Sequence, residues 1–414
     1  MALCPIPPED FEGFELKIAF FIGSVDISGG TYVIYQHALH AKRAGHDVTM
    51  VVLYPYDDSQ MQWHPACKEL RFVPLHESSD LRFDLAIATW WRTAAELHAI
   101  AAARYAYFIQ SIESRFYPDN QAPLKGLVDR SYDIGLPSIT EASWIREHLS
   151  KNHRTQAVLV RNGIRKDLYT QEGPSSAERL RDGPIRVLVE GPMGVFFKNV
   201  GRSLKLARKS KADSTWLLTS TQLGYFPGVD KVFSRVPISL VPAIYRSCDV
   251  LVKLSYVEGM FGPPLEMFHC GGTAIVYDVT GYDEYIENGE NAIVIPRDDE
   301  SSVVAAINSL RDDNQLLDRL KDGALSTALA WPDWTHSSTE FLRAIESIQD
   351  SPSRGQIEAS NHVSMQEYIS AENDRLGSLV PDNKMSTKVL NHLTEKSSKF
   401  AAARRYAGFL REAF

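Results

Sequence analysis

Residues 17–53 read KIAFFIGSVDISGGTYVIYQHALHAKRAGHDVTMVVL, and this stretch decides the architecture. It passes from an apolar, β-rich run through a glycine loop into a segment with Val33, Ile34, His37, Ala38 and Ala41 at helical spacing, then returns to a second apolar run. Gly45 follows AKRA as a helix-ending glycine, and DVTMVVL reads as the next strand. Both strands are apolar along their length instead of alternating, as in a parallel sheet covered on both faces. The expectation is β-loop-α-β. Further apolar runs at 84–89, 105–109, 134–139 and 157–160 alternate with helical or turn-rich pieces, and one doubly wound domain closes near Arg161-Asn162-Gly163.

The rhythm restarts after the polar interval QEGPSSAERLRDGP, whose Gly, Pro and Ser mark a linker or exposed excursion. IRVLVEG is the new first strand. A helix over 199–209, strand TWLLTS, helix VPAIYRSC, strand DVLVKLS, helix PPLEMFHC and strand TAIVYDV follow, which predicts a second α/β sheet. Helical patterns at 301–310 and 314–329 come next, and 331–348 closes the compact part. Residues 351–382 are polar and weakly periodic, a linker with at most a short helix around 365–376. Residues 382–414 hold seven Lys or Arg against three Asp or Glu, with Val389, Leu390, Leu393, Phe400, Tyr406, Phe409 and Leu410 roughly on one face. This is a basic amphipathic helix, which either docks on the body of the protein or attaches to an anionic membrane surface. The domains expected are 1–165, 166–350 and an appended 351–414.

A length of 414 residues exceeds what one core usually supports, consistent with two domains. Lys and Arg total 44 against 52 Asp and Glu, so the net charge of -8 provides no overall attraction to nucleic acid. The four cysteines form no C-x-x-C pair, which argues against a disulfide framework or zinc ribbon and for a reducing, cytoplasmic setting. Prolines and acids occupy the N-terminal positions a signal peptide would fill with basic and apolar runs. No apolar stretch approaches the roughly 18 residues of a membrane span, so any membrane contact is peripheral, through the tail at the inner face.

The strongest chemical constellation is VEGMFGPPLEMFHCGG, in which Glu258 and Glu266 are separated by seven residues around a Gly-Pro-Pro turn. Pro263 and Pro264 suit a helix start, where amide donors lack an intrahelical partner. Glu266 then falls in the first turn and Glu258 on the loop before it. Free amides and the positive helix end favour a diphosphate, and a first-turn carboxylate can accept hydrogen bonds from sugar or ribose hydroxyls. Alone, the pair would be better read as a dipole-complementing Glu266 and a solvated Glu258.

The arrangement resembles the signature of retaining glycosyltransferases with two facing Rossmann-like domains, GT-B, and most of all glycosyltransferase family 4. The resemblance covers about residues 17–348 and includes the early GG loop, VRNGI, DVLVKLSYVEGMFGPPLEMFHCGGTAIVYDVTGYDEYI and ENGENAIVIP. It implies that Glu266 binds the donor ribose and Glu258 the transferred sugar, while Met260, Phe261 and Gly262 present amides toward sugar and phosphates. Lys198 would lie on the diphosphate, offsetting charge as the nucleoside diphosphate leaves. The family's arginine just before that lysine is missing from GPMGVFFKN, so either Lys253 or Arg161 substitutes or phosphate binding is weakened. Gly29 and Gly30 match the loop that lets phosphates and acceptor approach closely, and they lack the G-x-G-x-x-G spacing of a nicotinamide-cofactor loop. The family's first-domain histidine is replaced by Gln110-Ser111-Ile112-Glu113, where Glu113 or Gln110 takes its place, Glu113 orienting the acceptor hydroxyl or assisting its deprotonation. Arg115 and Tyr117 are either packing residues or acceptor contacts.

YFIQSIESRFYP and PPLEMFHCGG also resemble bacterial surface-glycan rhamnosyltransferases, which implies dTDP-rhamnose as donor, with UDP- and GDP-sugars as alternatives. The acceptor implied is a saccharide or lipid-linked glycan, as in O-antigen-type biosynthesis, and no further cofactor is required. No Asp-x-Asp motif is present, the Asp57-Asp58, Asp298-Asp299 and Asp312-Asp313 pairs sit in polar turns, and His37 with His40 lacks the Glu of an H-E-x-x-H site, so no metal is expected. A catalytically silent GT-B scaffold and a GT-B epimerase or phosphorylase are the competing readings.

Overall fold

In the computed structural model, which describes residues 15–179 and 183–379, the opening stretch forms β1 (Lys17–Ile22), a helix at Gly29–Arg43 and β2 (Asp47–Val52). Ser28 caps that helix from an extended conformation, its Oγ accepting the Thr31 amide at 3.0 Å. Five more strands, β3 (Arg71–Pro74), β4 (Phe83–Ala88), β5 (Ala102–Ile109), β6 (Ser138–Thr140) and β7 (Ala157–Leu159), complete a parallel sheet in the order β3-β2-β1-β4-β5-β6-β7. The second sheet is also parallel: β8 (Arg186–Glu190), β9 (Ser214–Thr219), β10 (Lys231–Ser234), β11 (Val250–Lys253), β12 (Thr273–Tyr277) and β13 (Ile293–Ile295), ordered β10-β9-β8-β11-β12-β13. Strand order reverses between β1 and β4 in one sheet and between β8 and β11 in the other. These are the switch points beyond whose carboxyl ends α/β sheets bind ligands.

The expected strand at 134–139 is confined to Ser138–Thr140, because Gly135 at φ 85° and Pro137 hold the preceding residues in a turn. Strands β3 and β10 each pair on one side only and are broken by Arg71 and Pro74 or by Lys231 and Ser234, so they lack the continuous apolar run that betrays a central strand. The linker expected over 351–382 is instead a helix, Arg354–Leu379, lying on the first domain. Ile357 is fully buried there, the Asn361 amide donates to the carbonyls of Ala94 and Ala95, and Glu367 pairs with Arg130 at 2.5 Å. The basic amphipathic helix expected over 382–414 lies outside the described residues.

Residues 331–348 likewise belong to a different neighbourhood than their sequence position suggests. The helix Trp334–Glu346, capped by Asp333, packs its apolar face on the first sheet: Phe341 stacks on His37 at 4.1 Å and lies 6.1 Å from Phe20. Helical periodicity shows that a face must be buried, but not against which sheet. Burial pushes His37 down to about 3, so it is a neutral core residue, with Nδ1 3.1 Å from Ser338 Oγ. The chain crosses between domains twice, and the crossings run side by side: the Ile164 amide donates to the Pro332 carbonyl at 3.1 Å and Trp331 Nε1 to the Asn162 carbonyl at 2.8 Å. A Cβ on Gly163 would sit 2.4 Å from the Asp333 backbone, so only glycine permits this approach. No described helix is long and apolar enough to cross a membrane.

Candidate active site

A cavity of about 680 Å³ lies between the domains, over the carboxyl ends of both sheets. From the first domain it is lined by the loop after β1 with Gly29 and Gly30, and by Gln110, Ser111 and Glu113 after β5. From the second come Glu190, Lys198, Lys253, Glu258 and the helix Gly262–His269, which begins at Gly262 and so carries Glu266 just past its first turn and not within it as expected. Separate stretches of sequence thus meet because each follows a strand at or beside a switch point.

The centre is a network of three carboxyls and two ammonium groups. Lys198 reaches Glu258 at 2.8 Å, and Lys253, only 3% exposed, reaches Glu190 at 2.5 Å and Glu258 at 3.8 Å. Burial works to raise the pKa of Glu258, but the two lysines outweigh it and hold the carboxyl below its usual range. For Lys253 burial favours the neutral form, yet Glu190 and Glu258 prevail and its pKa rises. Glu266 differs. Burial, then the charge of Glu190, pushes it up to about 8, against the pull of the Tyr169 and Tyr245 hydroxyls and Lys253. Glu258 is therefore ionised at neutral pH, whereas Glu266 keeps its proton to a higher pH than an ordinary glutamate.

The backbone around Met260 is less available than the resemblance implies. The Met260 amide donates to Glu141 Oε1 at 3.0 Å, the Gly262 amide to the Met260 carbonyl at 2.9 Å, and Pro263 and Pro264 have no N–H. Phe261 is fully buried, with its carbonyl accepting the Tyr285 hydroxyl. In this conformation the Met260 and Gly262 amides are already engaged within the protein. Of the two substitutes for the missing arginine, Lys253 is in the cavity; Arg161 pairs with Glu284 at 3.2 Å, outside the lining. Gly29 leaves open space, since a Cβ there would meet nothing within 4 Å, and the side chain of Gln110 lies over Gly30.

Glu113 lines the cavity, but its Oε2 accepts the Trp91 amide at 2.8 Å, capping the helix Trp91–Ala95. Burial pushes this carboxyl up to about 8. Arg115 stacks over Trp144, 4.8 Å from the ring centre, and Tyr117 accepts from Trp91 Nε1 at 3.0 Å; neither lines the cavity.

Several site residues escaped the sequence reading. Glu141, pushed up to about 7 by burial, joins the domains: besides Met260 it accepts from Asn162 Nδ2 at 2.8 Å. Nothing in TEAS distinguishes it from a surface glutamate. Glu190 had a signal, a carboxylate ending the apolar strand RVLVE. Gly259 is pressed against the first domain: a Cβ there would sit 2.1 Å from the Gln110 carbonyl, and its own carbonyl accepts from Trp144 Nε1 at 3.0 Å. Five buried polar atoms of residues lining the cavity, Gln110 Oε1, Ser111 Oγ, Asn162 Oδ1, Glu258 Oε1 and Trp334 Nε1, have no hydrogen-bond partner among the described residues. Buried polar groups are ordinarily paired, so this set marks where a polyhydroxylated ligand would supply partners. Among the described residues no three His, Cys, Asp or Glu side chains come together as metal ligands.

Residues 230–326, which include Glu258 and Glu266, match the family model described as Glycosyl transferases group 1. The O-antigen biosynthesis protein RfbC of Myxococcus xanthus is 25% identical over 260 residues, 59% of this chain and 19% of that protein. The serotype-specific mannosyltransferase WbdA of Escherichia coli is 31% identical over 142 residues, 33% of this chain and 17% of the relative. This chain thus spans less than a fifth of the length of these curated relatives. Anabaena HepE, solved in complex with UDP-glucose, superposes with a TM-score of 0.65 at 15% identity, over 81% of this chain and 100% of that one. The fold is GT-B, two facing parallel-sheet Rossmann-like domains followed by helices that reach residue 379, and the segment matching the glycosyl transferases group 1 model lies in the second domain.

Proposed function

We propose that this protein transfers a sugar from a nucleoside diphosphate donor to a hydroxyl of a saccharide or lipid-linked glycan, with retention of configuration. The observation that carries this reading is the Lys198–Glu258–Lys253–Glu190 network beside Glu266, set at the switch points of two facing sheets and next to unpartnered polar atoms. The match to the group 1 model and the similarity to the O-antigen biosynthesis protein RfbC and the mannosyltransferase WbdA support it.

In this scheme the diphosphate takes over Lys198 and Lys253 from their carboxylates, and the two ammonium groups offset charge on the departing phosphate. Glu258, once released, accepts hydrogen bonds from hydroxyls of the transferred sugar, and Glu266 engages the ribose. Retention follows if the acceptor attacks from the face the phosphate leaves, with a phosphate oxygen taking the acceptor proton, so no protein nucleophile is needed. Glu113, protonated at neutral pH, suits donating a hydrogen bond on the acceptor side better than removing a proton. The donor is a nucleotide hexose; dTDP-rhamnose rests on the two short resembling stretches alone.

The test is an assay of nucleoside diphosphate release with a panel of nucleotide sugars, with and without glycan acceptors, followed by proton NMR of the product. Acceptor-dependent release and an anomeric coupling matching the donor are expected. Release without acceptor would point to hydrolysis or epimerase-type chemistry, and no turnover with any pair would favour a silent scaffold.

A further inference from the structure

Four described residues other than glycine have positive φ: Arg154, Asn199, Arg235 and Asp298. Asn and Asp tolerate the left-handed region, and Arg154 ends the helix Ser143–His153, where that conformation is customary. Arg235, at φ 51°, has neither reason. It directly follows β10, its amide donates to the Thr219 carbonyl at 2.8 Å, and it lines the cavity. A strained, non-glycine backbone at a ligand cavity is a feature that function retains and stability does not.

Its position within the cavity narrows the role. Lys253 ends β11 and Glu190 ends β8, at the switch point, while Thr219 ends β9 and Arg235 follows β10, the next two strands outward. Two strand spacings are about 10 Å, roughly the span of a nucleoside from its diphosphate to its base. Arg235 lies exposed at that far end beside Val236 and Ile238, and among the described residues no carboxylate pairs with it.

We propose that Arg235 reads the base of the donor nucleotide. A guanidinium only donates, so it selects bases that present carbonyl acceptors, guanine, uracil or thymine, over adenine, whose corresponding edge carries an amino group. Guanine is favoured most, because O6 and N7 lie side by side to receive the guanidinium fork. This inference rests on the donor-site reading above, and it shifts the expected donor from dTDP toward GDP.

The experiment is calorimetric titration of the full chain with GDP, UDP, dTDP and ADP, for wild type, Arg235→Gly and Arg235→Lys, with thermal unfolding of each. Wild type should bind GDP tightest and ADP weakest, by about tenfold or more. Arg235→Gly should bring GDP and ADP close to equal while its unfolding midpoint holds or rises, since glycine relieves the strain. Arg235→Lys should keep binding but lose most of the guanine preference. Preserved discrimination in Arg235→Gly, an equal loss for all four nucleotides, or a wild type that binds ADP as well as the others overturns the role of Arg235 alone. A wild type that binds none of the four overturns the donor-site reading as well.

Discussion

Lys253 shows how a buried charge is kept at this site. Its ammonium is 3% exposed and is held by Glu190 and Glu258, so removing it leaves Glu190 without its cation and Glu258 with Lys198 alone. Lys253→Met should cost about 3–5 kcal/mol in urea unfolding. The raised carboxyls make a second prediction. Glu113, Glu141 and Glu266 titrate at about 8, 7 and 8 in the folded chain against 4.5 for an ordinary glutamate, so the folded state holds more protons between those values. Their contribution to stability is therefore present below about pH 4.5 and is lost as pH rises through 7 to 8. Glu258, held low by its lysines, has its window on the acid side instead. The unfolding midpoint of Glu266→Gln should fall less between about pH 6 and 9 than that of wild type. At this scale the sequence showed residues embedded in a spaced motif, Glu258, Glu266 and Lys198. It did not show Glu141 or the environment of Glu113, since burial and partners come from other parts of the chain.

Elements were legible where local pattern suffices. The central strands of both sheets and most helices between them follow from apolar runs and helical spacing, and in the structure Ser28, Asp313 and Asp333 cap three of the helices. The edge strands β3 and β10 and the helix Arg354–Leu379 were not, because each buries little and is held by contacts distant in sequence, whereas the edge strand β7 was expected from its apolar run. Two substitutions test these contacts. Ile357→Ala, removing a fully buried side chain, should cost about 2–4 kcal/mol and loosen the helix Arg354–Leu379, read as faster amide exchange around Ile357. Gly163→Ala must push the two interdomain crossings apart, which should cost about 1–3 kcal/mol and change domain closure, measurable as a shift in solution scattering.

Across the whole molecule, the two-sheet architecture was legible from the rhythm of the chain, but the return of residues 334–348 and 354–379 to the first domain was not. A fragment ending at residue 165 lacks Phe341 and its neighbours on the His37 face, which ties the folding of the first domain to the end of the chain. Closure also draws on both halves: Glu284 accepts from the Ser143 amide at 2.5 Å, and Phe116 stacks on Phe197 at 4.7 Å. The central claim is that the enclosed cleft is a nucleotide-sugar site whose diphosphate is balanced by lysines and whose ribose is held by Glu266. Its most direct test is calorimetric titration of wild type and Glu266→Ala with GDP, UDP and dTDP in the presence of EDTA. Wild type should bind with the chelator present, and the affinity should fall by tenfold or more (about 1.4 kcal/mol) in Glu266→Ala. Unchanged affinity in Glu266→Ala, or wild-type binding abolished by EDTA, would contradict it.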